Sequence, residues 1–279
     1  MTSTQIDCPW GGAHVWSAGP EDGRSVLLIH GVHETADVWH QVGLELADRG
    51  NRVVAPDLPG RGRSEWDGQP LEMAAQVGHL LDIMDKAALR GAVHVVSHSD
   101  GDIVALSLAA SIPERVRTVS LIAPSGALPR TASNLPLSAR LRWLGSLGEG
   151  ALKTKLVRGL LDLRSSLSAA GTPAVDAMLV ALEQPRSVKA ILSQVRCWPS
   201  LAEMLHTAGL LSELRLPILG LRYADESGAN TVPHDDVLAA LTHGVWHTVV
   251  ADSPGGVLGS PDPTVERLED HLIGRRNTP

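Results

Sequence analysis

The stretch that most narrows what this chain can fold into is Ser97-His98-Ser99-Asp100-Gly101. It stands directly after the apolar run Val93-His94-Val95-Val96 and before Ile103-Val104-Ala105-Leu106. A serine with small residues two places before and two places after it, held between a strand and a helix, fits a sharp turn that exposes its hydroxyl. The small neighbours have a steric cause. The backbone at the bend enters an uncommon conformation, and bulkier side chains there would strike the adjoining strand and helix. Ser97 stands where glycine is the commoner choice.

Around this turn, short β-branched runs alternate with longer amphipathic ones, the pattern of a sheet wrapped by helices. Strands are expected at Val26 to His30, Arg52 to Ala55, Val93 to Ser97, Val119 to Ile122, Ile218 to Leu221 and Thr248 to Ala251. Helices are expected at Ala36 to Ala47, Leu71 to Ala87, Asp102 to Ser111, Asp235 to Leu241 and Thr264 to Ile273. Between about Ala127 and Leu214 the strands stop while a helical period continues, with Leu152, Leu156, Val157, Leu160 and Leu161 as an apolar stripe. The division expected is an α/β core of residues 1–126 and 215–279, carrying a helical cap of residues 127–214. At 279 residues a single globular core is ample for the chain.

Three further motifs occur in order: His30-Gly31-Val32-His33 after an apolar strand, Asp57-Leu58-Pro59-Gly60-Arg61-Gly62-Arg63-Ser64 after the next, and Pro113-Glu114-Arg115-Val116 after the elbow helix. Together with the elbow they resemble the α/β-hydrolase family, in particular its cap-bearing members that act on small esters, lactones, epoxides and carbon–carbon bonds. The resemblance implies an α/β-hydrolase fold, a mostly parallel twisted sheet flanked by helices with an inserted helical cap. It implies Ser99 as nucleophile, the backbone amides of Val32 and Asp100 as an oxyanion hole, and Asp225 as the acid, with Glu226 as a substitute and a turn-capping role for Asp225 as the alternative. It also exposes a departure. The family's last-strand loop carries a histidine, and Gly256 stands there instead.

Without a base a serine hydroxyl is a poor nucleophile, and loss of the triad histidine lowers turnover by about 10⁴ to 10⁶. Other imidazoles are therefore weighed. His33, with Glu34 beside it, borders the pocket mouth and is the candidate acid or base. His98 is expected to pack beneath the elbow, and His206 to reach down from the cap. His243 and His247 fall before the last strand at the far end of the sheet, and His234 is expected to be solvated at a helix start. Gly31, Glu34, His98, Trp143, Trp198 and His206 complete the expected pocket lining.

Composition removes several classes. A formal net charge of -7 with scattered basic residues speaks against nucleic acid. Neither a secretory leader nor an apolar run of membrane-spanning length is present, so a cytoplasmic protein with no membrane partner is expected. Cys8 and Cys197 are expected to be reduced, and no metal or other cofactor is called for. The expected partner is a small carbonyl-containing molecule. Hydrolysis of an ester, thioester or lactone is one reading. A lyase, cyclase or isomerase using the same pocket is a second, and an inactive binding protein a third.

Overall fold

A computed structural model describes residues 1–124, 146–167, 172–224, 240–241, 244–250, 257 and 262–274. Eight strands form one sheet: β1 (Thr2–Cys8), β2 (Gly11–Ala18), β3 (Arg24–Ile29), β4 (Asn51–Pro56), β5 (Val93–His98), β6 (Val116–Ile122), β7 (Ile218–Ala224) and β8 (Gly244–Val250). Their spatial order is β1-β2-β4-β3-β5-β6-β7-β8. From β4 to β8 every neighbouring pair is parallel, whereas β1, β2 and β4 pair antiparallel.

The central strands read as nearly unbroken apolar runs because helices cover both faces. Val26, Leu27, Leu28 and Ile29 of β3 are completely buried, as are Val95 and Val96 of β5. The helices are α1 (His40–Asp48), α2 (Met73–Lys86), α3 (Gly101–Ser111), α4 (Glu149–Ser166), α5 (Thr172–Glu183), α6 (Pro185–Arg196), α7 (Leu201–Glu213) and α8 (Asp262–Leu272). A 3-10 turn over Ala36–Trp39 leads into α1, so the single helix expected from Ala36 onward begins as a tighter coil.

Among the described residues four helices, α4 to α7, lie in sequence between β6 and β7. Helices α4, α5 and α6 pack on one another, α5 touches the 3-10 turn, and α7 packs against α3. Leu152 and Leu160 are buried as the stripe predicts, but Leu161 is half exposed, because it lies one residue past the apolar face. Ser200 caps α7 by accepting from the Glu203 amide, and Glu203 answers through the Ser200 amide.

Two expectations change. The β1–β2 hairpin is an addition, and β8 starts at Gly244 rather than Thr248, which puts His247 inside the strand instead of before it. His234 and His243 lie outside the described residues.

Candidate active site

The parallel strands are not laid down in one direction. After β3 the chain adds β4 on one side, then returns to add β5 on the other. The loops leaving the carboxyl ends of β3 and β5 therefore diverge and leave a crevice, the place where open α/β sheets bind ligands. Ile29 is paired with Ser97, so the residues just beyond, Gly31 and Val32 on one loop and Ser99 on the other, face each other across it.

The bend at Ser99 has the strained geometry expected of it. Ser99 has φ +53, a left-handed conformation that costs a side-chain-bearing residue about 1–3 kcal/mol. Its amide donates to Ile122 O at 3.0 Å, which ties the bend to β6. Gly101 is required by space: a Cβ there would lie 2.7 Å from His30 O and 3.0 Å from Ile29 O. Ser97, on β5, is completely buried.

Beneath the bend lies a buried ion pair. His98 Nδ1 meets Glu34 Oε1 at 2.8 Å, and Glu34 Oε2 accepts from the Gly31 amide at 2.7 Å. Burial alone would raise the Glu34 carboxyl. The charge and hydrogen bond of His98, the nearby His33 and the Gly31 amide override it, leaving Glu34 at about 2. For His98, burial pulls downward, yet Glu34 and then Asp100 carry its pKa above the usual imidazole value. Trp39, completely buried, stands edge-on to His98 with ring centres 6.2 Å apart.

His30 has its tautomer fixed by its neighbours. The Leu58 amide donates to Nε2 at 2.9 Å, so Nε2 carries no proton, and Nδ1–H donates to Gly31 O at 2.7 Å. Burial accordingly depresses its pKa. Asp57, also buried, accepts from the Ala36 amide at 2.7 Å and the Arg63 amide at 3.0 Å, and bonds His14 Nδ1 at 2.8 Å. One carboxylate thus binds the loops after β3 and β4 to the hairpin strand β2.

Arg61 is the residue that sequence reasoning missed. Its guanidinium is buried, donates from Nε to Val32 O at 3.0 Å and from a terminal nitrogen to Pro59 O at 2.6 Å, and bonds Gln194 Oε1 on α6. Burial lowers its pKa to about 9, with Asp100 pulling the other way. Nothing in composition or period marks this arginine out among its neighbours in the Gly60-to-Ser64 turn.

Among the expected site residues, the structure brings Gly31, Val32, Glu34, His98, Ser99 and Asp100 together at the crevice. His33 is half buried in the same turn. Glu34 corrects its expected pairing. It serves His98, not His33, and both its oxygens are taken within the protein, so Glu34 and His98 brace the elbow from below. The Val32 amide also departs from a vacant donor: it donates to Asp100 Oδ1 at 2.9 Å. His206 is exposed on α7, away from the apolar face that packs on α3, so it does not reach down as expected. Trp198 is partly buried against the core, with its indole N–H unpartnered. Asp225, Glu226, Trp143 and Gly256 lie outside the described residues.

A separate open cavity of about 340 Å³ lies between the Trp66 to Pro70 loop and α6, bordered by Trp66, Lys189, Ser193 and Arg196. Cys197 also borders it, and both cysteines are free, with burial first among the causes that raise each thiol. Among the described residues no three histidine, cysteine or acidic side chains cluster as metal ligands, and no helix is long and apolar enough to cross a membrane.

Comparison with known proteins agrees with this geometry. A lipase from Mycobacterium tuberculosis, LipV, is 40% identical over 115 residues, 41% of this chain and 42% of the lipase. A non-heme chloroperoxidase from Streptomyces lividans is 37% identical over 107 residues, 37% of this chain and 38% of its own. These matches thus span less than half of those curated relatives. Among solved structures, Cfl2 from Burkholderia cenocepacia superposes with a TM-score of 0.76 at 22% identity, covering 97% of this chain and 95% of that one. A thermophilic esterase from Thermogutta terrifontis gives 0.73 at 19% identity, covering 99% and 100%. Likeness at such identities establishes the fold. The family model described as the alpha/beta hydrolase family matches residues 26–270, which takes in most of β3, strands β4 to β8, the elbow and the helices between β6 and β7, and the chain belongs to that family.

Proposed function

We propose that the chain is a serine-dependent enzyme that acts on a small carbonyl compound, an ester, thioester or lactone, held in the crevice between the β3 and β5 loops. The observation that carries this reading is Ser99 at φ +53. A strained side-chain-bearing residue persists where the surroundings enforce it, and here the strained residue is a serine at the carboxyl end of β5, beside the crevice. That relatives are named lipase and esterase supports a hydrolytic reaction.

In this reading Ser99 Oγ attacks the carbonyl carbon and its proton passes to His33. The amides of Val32 and Asp100 stabilise the oxygen that becomes negative. Collapse of the adduct breaks the bond to the leaving group, which takes the proton, and water then releases the acyl group. Asp225 is proposed as the acid of the site. The segment 127–214, with Trp143 and Trp198, is proposed as a cap that excludes water.

A second reading is favoured by a specific observation. Two of the described imidazoles near the elbow are committed elsewhere, His98 to Glu34, and His30 to Gly31 and Leu58, which leaves His33. With Gly256 in place of the family histidine, a lyase, cyclase or isomerase that needs only polarisation and one proton-transfer group also fits, as does a binding protein.

A fluorophosphonate probe tests the leading reading. Labelling of Ser99, with hydrolysis of p-nitrophenyl butyrate falling by about 10⁴ or more in Ser99→Ala, is the expected result. No labelling, together with unchanged turnover in Ser99→Ala, overturns it.

A further inference from the structure

The Val32 amide is well prepared to meet a developing negative charge. Its peptide group is polarised, because the carbonyl on the same peptide, Gly31 O, accepts both from His30 Nδ1 at 2.7 Å and from the Glu34 amide at 3.1 Å. Arg61 fixes the following carbonyl, Val32 O, at 3.0 Å. This donor nevertheless already has an acceptor, Asp100 Oδ1 at 2.9 Å.

Asp100 occupies the position just before α3, where an aspartate ordinarily accepts from an amide in its own first helical turn. Its side chain makes no such cap bond. Instead it crosses the crevice to Val32, and it can approach because Gly31 has no side chain: a Cβ there would stand 2.7 Å from Asp100 Oδ1. The carboxylate has left a local partner for one across the crevice, at the point where a substrate oxygen would sit.

We propose that Asp100 is a built-in occupant of the oxyanion pocket, holding the Val32 N–H until an incoming carbonyl displaces it. The proposal rests on the serine reading above. It adds a selection rule: the displaced carboxylate stays beside the bound acyl group, so uncharged acyl groups are accepted and negatively charged ones are rejected. Asp100 acts here as a gate on a donor, and the Asp100 backbone amide keeps its separate role.

The test uses Asp100→Ala and Asp100→Asn in the full chain, with Val32 observed directly by proton–nitrogen NMR after selective valine labelling, and with acetate as the probe. In Asp100→Ala the Val32 amide proton is expected to move upfield and exchange faster with solvent. Added acetate should reverse the shift in the variant and leave the wild type unmoved. Fluorophosphonate labelling of Ser99 should rise by up to about 10²-fold, the scale of one oxyanion donor, and less in Asp100→Asn, which keeps a neutral acceptor in place. A Val32 resonance unmoved in Asp100→Ala overturns the gate whatever the turnover. So does a freed Val32 amide in a protein whose Ser99 is labelled in the wild type but no faster in Asp100→Ala. A moved, acetate-responsive Val32 amide with no labelling in any variant supports the gate and sinks the serine reading instead.

Discussion

Replacing Glu34 with glutamine tests the brace under the elbow. In the native protein Glu34 takes two short bonds, from the Gly31 amide at 2.7 Å and from His98 at 2.8 Å. Glutamine has the same shape but one oxygen and one amide nitrogen. Its oxygen can keep the Gly31 N–H, and its nitrogen then faces His98 Nδ1, which must give up its proton to accept. The imidazole becomes neutral with its hydrogen on Nε2. Two bonds to a charged group, worth about 1.5–3 kcal/mol each, become neutral ones worth about 0.5–1.5, a loss of roughly 2–3 kcal/mol in all. In a chain of this size each kcal/mol moves the thermal midpoint by about 2–4 °C, so the variant should melt at least about 4 °C lower.

The loss must also depend on pH in a definite direction. Glu34 is depressed from 4.5 to about 2, so its contribution is present above 4.5 and fades as pH falls toward 2. His98 is raised above 6.5, so its contribution is present below 6.5 and fades as pH climbs through the raised value. The pair is worth most between 4.5 and 6.5. Thermal unfolding followed by tryptophan fluorescence at about pH 5.5 and about pH 9 should show a larger gap between wild type and Glu34→Gln at the lower pH. An equal gap at both values would refute the ion pair as the source.

Two further substitutions test the bend. Ser99→Gly removes a strain of about 1–3 kcal/mol and adds a glycine cost of about 0.5–1, a net gain centred near about 1 kcal/mol, so it should raise the midpoint by about 2–4 °C while abolishing fluorophosphonate labelling. A lowered midpoint would mean that the bend is not strained. Gly101→Ala should destabilise by about 1–3 kcal/mol, because the Cβ would press on backbone atoms of a strand with no room to shift. Calorimetry showing an unchanged midpoint would contradict that close approach.

Much of this architecture can be read from local pattern, and the exceptions have physical causes. The parallel strands announce themselves because burial on both faces demands apolar runs such as Val26-Leu27-Leu28-Ile29. Strand β1 does not: Thr2-Ser3-Thr4-Gln5 is exposed at the sheet edge, and its pairing with β2 rests on backbone bonds that leave no apolar signature. Strand β8 starts at Gly244, ahead of the expected Thr248, because Gly244 and Trp246 stand outside the β-branched run that opens at Thr248.

The site divides along the same line. The elbow is legible because steric demand acts on adjacent residues: a left-handed Ser99 needs a compact Ser97 and a side-chain-free Gly101 within four positions. The polar contacts are not legible, because they join residues that are distant in sequence and whose choice of partner is settled by the crossing of loops. Glu34 stands next to His33 in sequence yet bonds His98, since the β3 loop turns its carboxylate down toward the end of β5. Arg61 reaches Gln194 across more than a hundred residues. Asp100 would be read locally as a helix cap, yet the 2.9 Å bond to Val32 arises only once β3 and β5 lie side by side at the switch point. Which carboxylate each backbone amide of this crevice is given is therefore settled by the crossing of the loops, and at Asp100 that assignment falls on the residue next to Ser99.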